Sequence, residues 1–163
     1  MNWYPLLMCM KNKKVVIVGG GKIAYRKAKG FDQTGAKVLV IAPEIIEELT
    51  LLPFVECKQK SFERNDLDGA HLIFAATDNK EINEFVVSSA SSQQWVNNVS
   101  DGKAGSFMTP AIVRRGDLVL TASTTGNSPV LAKEIKKQWE KQFDERYEQV
   151  VEEYRQKRKK TTD

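Results

Sequence analysis

Short apolar runs alternate with amphipathic stretches from residue 15 to residue 99. The runs are bounded by glycine, proline or polar residues, and they predict β-strands at 15–18, 37–41, 55–59, 70–76 and 95–99. The stretches between them predict helices at 22–34, 45–51 and 80–91. Strands that alternate with helices predict an α/β fold with a Rossmann-type, doubly wound and mostly parallel sheet.

The alternation stops after residue 104. Residues 106–113 and 118–122 are apolar and β-branched, and the turn at 114–117 separates them, so they predict an antiparallel hairpin. A lone hairpin is marginally stable in water. We therefore expect this hairpin either to extend the sheet or to pair with the same element of a second subunit.

An apolar stripe follows Pro129. It recurs at nearly every fourth position between charged residues, at Leu131, Ile135, Trp139, Phe143, Tyr147, Val151 and Tyr154. This spacing predicts one long amphipathic helix whose slanting stripe packs against a partner, and we expect a homodimer. The chain then divides into a nucleotide-binding domain (1–104), a hairpin dimerisation element (105–128) and a helical C-terminal segment with a basic tail (129–163).

Composition narrows the class of protein. A chain of 163 residues with 41% hydrophobic content can bury one sizeable core. No apolar run approaches the roughly 20 residues that span a bilayer, and the N-terminus does not resemble a signal peptide, so we expect a cytoplasmic protein without membrane contact. Cys9 and Cys57 are isolated and His71 is the single histidine, so no metal site is predicted.

The net charge of +4 lies entirely in residues 155–163, which leaves the rest of the chain neutral. Such a run is typical of a solvated helix end, where basic side chains complement the negative end of the helix dipole. We therefore expect no nucleic acid as a partner, and the hypothesis of one depends on this tail alone.

The end of the first strand fits the pattern G-x-G-x-x-A, which is typical of dinucleotide-binding turns. Gly19 would allow the tight turn, Gly21 would let a phosphate approach the backbone, and Ala24 would let the helix lie close to the strand. The pyrophosphate would bind the N–H groups at the positive end of the helix. The residues assigned to this contact are Gly19, Gly20, Gly21, Lys22, Ile23 and Ala24.

Two further loops are candidates for cofactor contact. After the second strand, Glu44 could bind the adenosine ribose, or Ala42 and Pro43 could contact the adenosine; Glu44 could equally be a first-turn acid of the next helix. No arginine or lysine stands there to hold a 2′-phosphate, which favours NAD over NADP. After the fourth strand, Thr77 and Asp78 are candidate contacts on the nicotinamide side, or one of them caps the following helix.

Two polar segments lie beyond the nucleotide-binding pattern. Asp101 lies in a flexible turn at the end of a strand, where it could take part in proton transfer or simply cap the turn. Ser128 and Pro129 connect the hairpin to the long helix, and in the simplest interpretation they are its serine cap and its first-turn proline.

The segments VVIVGGGKIAYRKA, FAATD, VSD followed by FMTPAIV, and TGNSPVLA resemble, in content and order, the siroheme synthase family and its precorrin-2 dehydrogenases. The resemblance extends from about residue 4 to residue 137. It implies a Rossmann domain, a dimerisation element and a helical C-terminal region, with NAD-dependent oxidation of precorrin-2 to sirohydrochlorin. It also implies that Asp101 is the candidate base or proton acceptor and that Ser128 lies near the substrate.

A tetrapyrrole substrate with a rim of carboxylates would bind cationic side chains. The cations nearest the proposed cleft along the sequence are Lys22, Arg26, Lys27, Lys103, Arg114 and Arg115. With Ser128, we name Arg26 and Lys103 as the candidate substrate contacts.

Some members of this family also insert the metal. The short C-terminal region and the missing cysteine or histidine cluster favour a monofunctional dehydrogenase whose product passes to a separate chelatase. A bifunctional dehydrogenase and ferrochelatase is the alternative. An NAD-binding regulatory module without catalysis is an alternative of a different class, but such a module would not need the VSD and SPVLA segments together.

Overall fold

The computed structural model describes residues 2–102 and 104–162, with side chains as far as residue 159. The chain forms two compact units, Met1–Met108 and Thr109–Asp163. No helix in the described part of the chain combines the length and the apolar character needed to cross a membrane.

The first unit is built on a five-stranded parallel sheet with the strand order β3-β2-β1-β4-β5. The strands are β1 (Lys14–Val18), β2 (Lys37–Ala42), β3 (Val55–Gln59), β4 (Leu72–Ala75) and β5 (Trp95–Asn98). The central strands read as continuous apolar runs because both faces of a parallel sheet are covered. This confirms the predicted doubly wound α/β fold.

The helices of this unit cover both faces of the sheet. They are α1 (Lys22–Lys29), α2 (Glu47–Thr50) and α3 (Lys80–Ser89), and a short 3-10 helix spans Arg64–Leu67. On one face, Ile17 and Phe74 pack with Ala24 of α1. On the other face, Ile73 packs with Val86 of α3. The two cores bury nearly every residue of β1 and β4, which fixes their carboxyl ends in place.

The first helix is shorter than its pattern predicts, because α1 ends at Lys29 and residues 31–35 form turns. Gln33 and Gly35 have φ angles of 59° and 71°, which take the chain out of the right-handed helical region. The carbonyl of Gly35 then accepts a hydrogen bond from the Asn12 amide at 2.8 Å, which brings the second strand beside the first.

The order of the strands reverses between β1 and β4. In open α/β sheets, ligands bind in the crevice outside the carboxyl ends of the strands at such a switch point. Gly19 follows β1 directly, and Thr77 comes just after β4. The topology therefore predicts a ligand site in the space between these two residues.

The second unit contains the hairpin and two helices. Strands β6 (Ala111–Arg115) and β7 (Leu118–Ala122) form an antiparallel two-stranded sheet, with Gly116 at φ +55° in the turn. The predicted hairpin is confirmed, although its first strand begins at Ala111 and not at residue 106. It forms a sheet of its own, so the first of the two expected alternatives, that it extends the main sheet, is wrong. Pairing with a second subunit stays a prediction.

The prediction of one long C-terminal helix is also wrong, because α4 (Pro129–Gln142) and α5 (Arg146–Thr162) are separate helices. Phe143 leaves the helical region at φ −107° and ψ 76°. The carboxylate of Asp144 accepts a hydrogen bond from the Arg146 amide at 3.1 Å, as an acid at a helix start does. The apolar stripe is therefore divided between two helices.

Candidate active site

The glycine turn after β1 is a tightly packed backbone crossing. Gly19 has φ +129°, which side-chain-bearing residues rarely adopt, and its amide donates to the Ile41 carbonyl at 2.9 Å. A Cβ at this position would overlap the carbonyl of Ala76, the residue directly after β4. Gly19 is therefore required both for the turn and for the close approach of the two central strands.

Gly20 has a packing function that the sequence pattern does not indicate. A Cβ there would overlap the carbonyl of Glu44, and the Gly20 carbonyl accepts from the Ile46 amide at 2.9 Å. The segment after β2 is thus held against the glycine turn. Glu44 precedes α2, whose first-turn acids are Glu47 and Glu48, so the interpretation of Glu44 as a first-turn acid is wrong.

Gly21 faces open space. It is the N-cap of α1 at φ −97°, it makes no side-chain cap hydrogen bond, and a Cβ built on it meets no atom within 4 Å. The N-terminal N–H groups of a helix carry a partial positive charge and bind phosphate readily. Lys22 and Ile23 are exposed beside this opening, whereas Ala24 is fully buried against the sheet. The turn therefore fits the pyrophosphate of a dinucleotide.

A cleft of about 130 Å³ lies next to this turn, at the carboxyl ends of β1, β2 and β4. Its lining is almost entirely apolar and consists of Val18, Gly19, Ile41, Ala42, Pro43, Ser61, Phe62, Thr77, Ile82 and Phe85. An apolar slot beside a turn that could accommodate a phosphate suits a flat heteroaromatic ring such as adenine.

The sequence pattern did not identify Ser61, Phe62, Ile82 and Phe85 as part of the cleft. Ser61 and Phe62 follow β3, and Ile82 and Phe85 lie on α3, so only the folded sheet brings them together. In the fold, Ile82 and Phe85 of α3 are conspicuous because they remain 40% and 46% exposed although they are large and apolar. The rings of Phe62 and Phe85 meet edge to face, with centroids 5.6 Å apart.

The loop after β4 differs from its predicted capping arrangement. Asn79 is the N-cap of α3, and its side chain accepts from the Ile82 amide at 3.1 Å, so the expectation that Thr77 or Asp78 caps this helix is wrong. Thr77 instead bonds through its backbone and hydroxyl to Asn83, and Asp78 is exposed. The loop thus presents Thr77 to the cleft and Asp78 to solvent.

The loop after β5 carries Asp101, which is exposed. Its backbone is fixed by Asn98, a nearly fully buried residue whose Oδ1 accepts from the Ser100 amide at 3.0 Å and from the Asp101 amide at 3.3 Å. A buried amide that accepts consecutive backbone N–H groups defines the path of this turn. Asp101 therefore lies at the carboxyl edge of the same sheet as the glycine turn.

The cations on α1 lie in different surroundings. Arg26 is exposed, whereas Lys27 is half-buried with its Nζ 5.3 Å from the centroid of the Phe74 ring. Burial, with the charge of Arg26 as a smaller cause, lowers the pKa of Lys27 from the ordinary 10.5 to about 8. Burial thus outweighs the attraction between the ammonium group and the ring.

Replacing Lys27 with methionine is expected to stabilise the fold at neutral pH. Since the folded protein holds the Lys27 proton less tightly than the unfolded chain does, the contribution of Lys27 to stability rises with pH between about 8 and 10.5 in the wild type. The advantage of Lys27→Met should therefore be full at pH 7 and should shrink as the pH passes 8. Urea unfolding of the wild type and of Lys27→Met at pH 7 and at about pH 10.5 measures this advantage. A difference in free energy of unfolding that is the same at both pH values would contradict the prediction.

The remaining candidate substrate contacts lie in different elements of the chain. Lys103 lies outside the described residues. Arg114 and Arg115 belong to β6, and Ser128 caps α4, accepting from the Leu131 amide at 3.3 Å. The serine cap followed by Pro129 is thus confirmed as a local structure, and any substrate contact of Ser128 stays a prediction.

The glycine turn at a sheet switch point, the helix N-terminus above it and the apolar cleft beside it define an NAD(P)-binding domain of the Rossmann type. Residues 6–111 match the family described as "Putative NAD(P)-binding".

Several relatives support this assignment. The precorrin-2 dehydrogenase of Bacillus subtilis (strain 168) is 36% identical over 143 residues, which cover 86% of this chain and 88% of that protein. The precorrin-2 dehydrogenase of Priestia megaterium is 36% identical over 91% of this chain and 75% of its own length. The solved structure of SirC, precorrin-2 dehydrogenase, superimposes with a TM-score of 0.79 at 35% identity, covering 92% of this chain and 76% of that one. The chain therefore belongs, more particularly, to the precorrin-2 dehydrogenase family.

Proposed function

We propose that this protein is an NAD-dependent dehydrogenase that oxidises precorrin-2 to sirohydrochlorin. The observation that carries the proposal is the open glycine turn beside an apolar cleft, in a chain that aligns over most of the length of two relatives named precorrin-2 dehydrogenase. The reaction removes a hydride and a proton from the macrocycle. The nicotinamide ring of NAD supplies the hydride acceptor when the cofactor is bound.

The cofactor would be held at three places. Residues 19–24 would bind the pyrophosphate through backbone N–H groups, as the open space at Gly21 allows. The cleft behind Ala42 and Pro43 would hold the adenine ring, with Glu44 near the ribose. Thr77 and Asp78 would contact the cofactor from the loop after β4.

Asp101 is the proposed proton acceptor. It is exposed at the carboxyl edge of the sheet, and the hydrogen bond from its amide to Asn98 holds the turn that carries it. When the hydride leaves the macrocycle, the remaining proton would pass to the Asp101 carboxylate and from there to solvent. The exposure of Asp101 supports the second of these transfers.

Arg26, Lys103 and Ser128 are the proposed substrate contacts. Arg26 is exposed on α1, where its guanidinium group could pair with a carboxylate of the macrocycle.

We also propose that the protein is a homodimer. The two-stranded hairpin and the exposed apolar residues Val130 and Leu131 of α4 support this proposal. We place the reaction in the cytoplasm.

We propose that the chain does not insert the metal and that a separate chelatase takes up the product. The two relatives of which this chain covers 88% and 75% carry the name of the dehydrogenase alone. The siroheme synthase 3 of Aeromonas hydrophila, at 37% identity, is matched over only 31% of its length.

The test is anaerobic incubation of the protein with precorrin-2 and, in parallel samples, NAD, NADP or no nucleotide. Absorbance should show sirohydrochlorin forming with NAD, more slowly with NADP, and at the rate of the protein-free control without nucleotide. Addition of Fe²⁺ or Co²⁺ afterwards should give the same rate of metal insertion with and without protein. A protein that binds NAD but produces no sirohydrochlorin would contradict the proposed reaction and favour a regulatory module.

A further inference from the structure

One buried amide joins the loop after β4 to the loop after β5. Asn83 lies on α3 and is 0% exposed. Its Oδ1 accepts from the Thr77 amide at 3.1 Å and from the Thr77 hydroxyl at 2.8 Å. Its Nδ2 donates to the Thr77 carbonyl at 3.0 Å and to Ser100 Oγ at 3.1 Å. All the hydrogen-bonding positions of the Asn83 amide are thus used.

The connection continues through Ser100 to the turn that carries Asp101. The Ser100 hydroxyl accepts from Asn83 and donates to Asn98 Oδ1 at 2.8 Å. The same Oδ1 accepts the amides of Ser100 and Asp101. A continuous series of hydrogen bonds therefore leads from Thr77, which lines the cleft, to the backbone of Asp101.

The arrangement needs an amide at Asn83. An aspartate in its place would keep the two acceptor contacts with Thr77 but lose both donated bonds, and it would place a carboxylate in a fully buried position. An apolar residue would leave the backbone groups of Thr77 without these partners. Simple packing of α3 against the sheet requires no such side chain, since Val86 supplies that contact.

We propose that Asn83 is a positioning residue that couples occupation of the dinucleotide site at Thr77 to the placement of Asp101. A nucleotide that fixes Thr77 would, through Asn83 and Ser100, further restrict the turn at Asp101, so that the proton acceptor is held more firmly when the cofactor is present. The assignment of Asp101 as proton acceptor rests on the proposed function; the coupling between the two loops does not.

Hydrogen–deuterium exchange of the segment 97–102, with and without NAD, tests the coupling. In the wild type, NAD should slow exchange of this segment about tenfold, because one stabilised hydrogen bond corresponds to about that factor. Ser100→Ala removes the acceptor for Asn83 and should abolish the effect of NAD on this segment, while the Kd of NAD stays within about twofold. Its kcat should fall about tenfold with little change in KM for precorrin-2.

Three further variants sharpen the test. Ser100→Thr keeps the hydroxyl and should restore both the exchange response and kcat. Ser88→Ala is the matched control, because the Ser88 hydroxyl donates to the Phe85 carbonyl within α3, and it should behave as the wild type. In Asn83→Asp, as in Ser100→Ala, NAD should no longer slow exchange of the segment 97–102. Both variants are measured at a temperature where they are folded.

A segment 97–102 that NAD still protects in Ser100→Ala would overturn the proposal, because the cofactor would then be acting on the loop directly. If Asp101→Asn lowers kcat, an unchanged kcat in Ser100→Ala would overturn the proposal too. If the wild type shows the exchange response but forms no sirohydrochlorin, the coupling stands and the proposed reaction falls.

Discussion

Replacing Gly21 with alanine is expected to raise the Kd of NAD about 100-fold, or roughly 2.7 kcal/mol of binding free energy, without unfolding the protein. The added Cβ would meet no protein atom, so the folded chain accommodates it. It would, however, occupy the space through which a phosphate approaches the N–H groups of α1. Isothermal titration of NAD measures the effect, and urea unfolding should show a change within about 1 kcal/mol.

Gly20→Ala is the matched variant for this experiment. Its Cβ would overlap the Glu44 carbonyl, so the segment after β2 must move, and the free energy of unfolding should fall by about 1–3 kcal/mol. The two variants should thus differ in stability. Gly21→Ala should weaken NAD binding and leave the free energy of unfolding nearly unchanged, whereas Gly20→Ala should also lower the free energy of unfolding. Unchanged NAD affinity in Gly21→Ala would show that the pyrophosphate does not bind at this turn.

Asp101→Asn is expected to lower kcat about 100-fold, the lower part of the range for loss of a general base. The asparagine has nearly the same shape but cannot accept the proton, and the hydrogen bond from the backbone amide of residue 101 to Asn98 does not depend on the side chain. The Kd of NAD should stay within about twofold, and the anaerobic sirohydrochlorin assay measures kcat.

Asp32→Asn supplies the control for Asp101→Asn, because Asp32 is an exposed acid in the turn after α1 and should leave kcat unchanged. If Asp101→Asn keeps kcat within about threefold of the wild type, the carboxylate is not the proton acceptor. The enzyme would then act mainly by holding the substrate and NAD in the reactive orientation.

The parallel sheet and the glycine turn could be predicted from the sequence because their signals are local. The run 15–18 is apolar enough to be a central strand, and the glycines that follow it permit a conformation that other residues rarely adopt. The cap at Ser128 and Pro129 is local in the same sense, since a serine side chain and a proline ring act on the adjacent helical turn.

Features for which the sequence offers several local arrangements could not be predicted in this way. Three examples are the length of α1, the break between α4 and α5, and the cap at Asn79. In each case neighbouring residues could form either of two local structures, and the sequence pattern fits both. Asp144 could continue a helix or begin a new one, and the apolar spacing on both sides is the same in either case. The folded chain selects the break, with the Phe143 and Tyr147 rings 4.9 Å apart across it.

The class of fold, the place of the glycine turn and the acid after the last parallel strand follow from the sequence alone, because strand periodicity, glycine content and chain order are properties of short segments. Tertiary structure alone decided that Gly20 packs against Glu44, that Phe62 and Phe85 close one cleft, and that Asn83 joins Thr77 to Ser100. Those partners lie many residues apart, and they meet only because the sheet order brings the carboxyl ends of β1, β2, β4 and β5 to one edge.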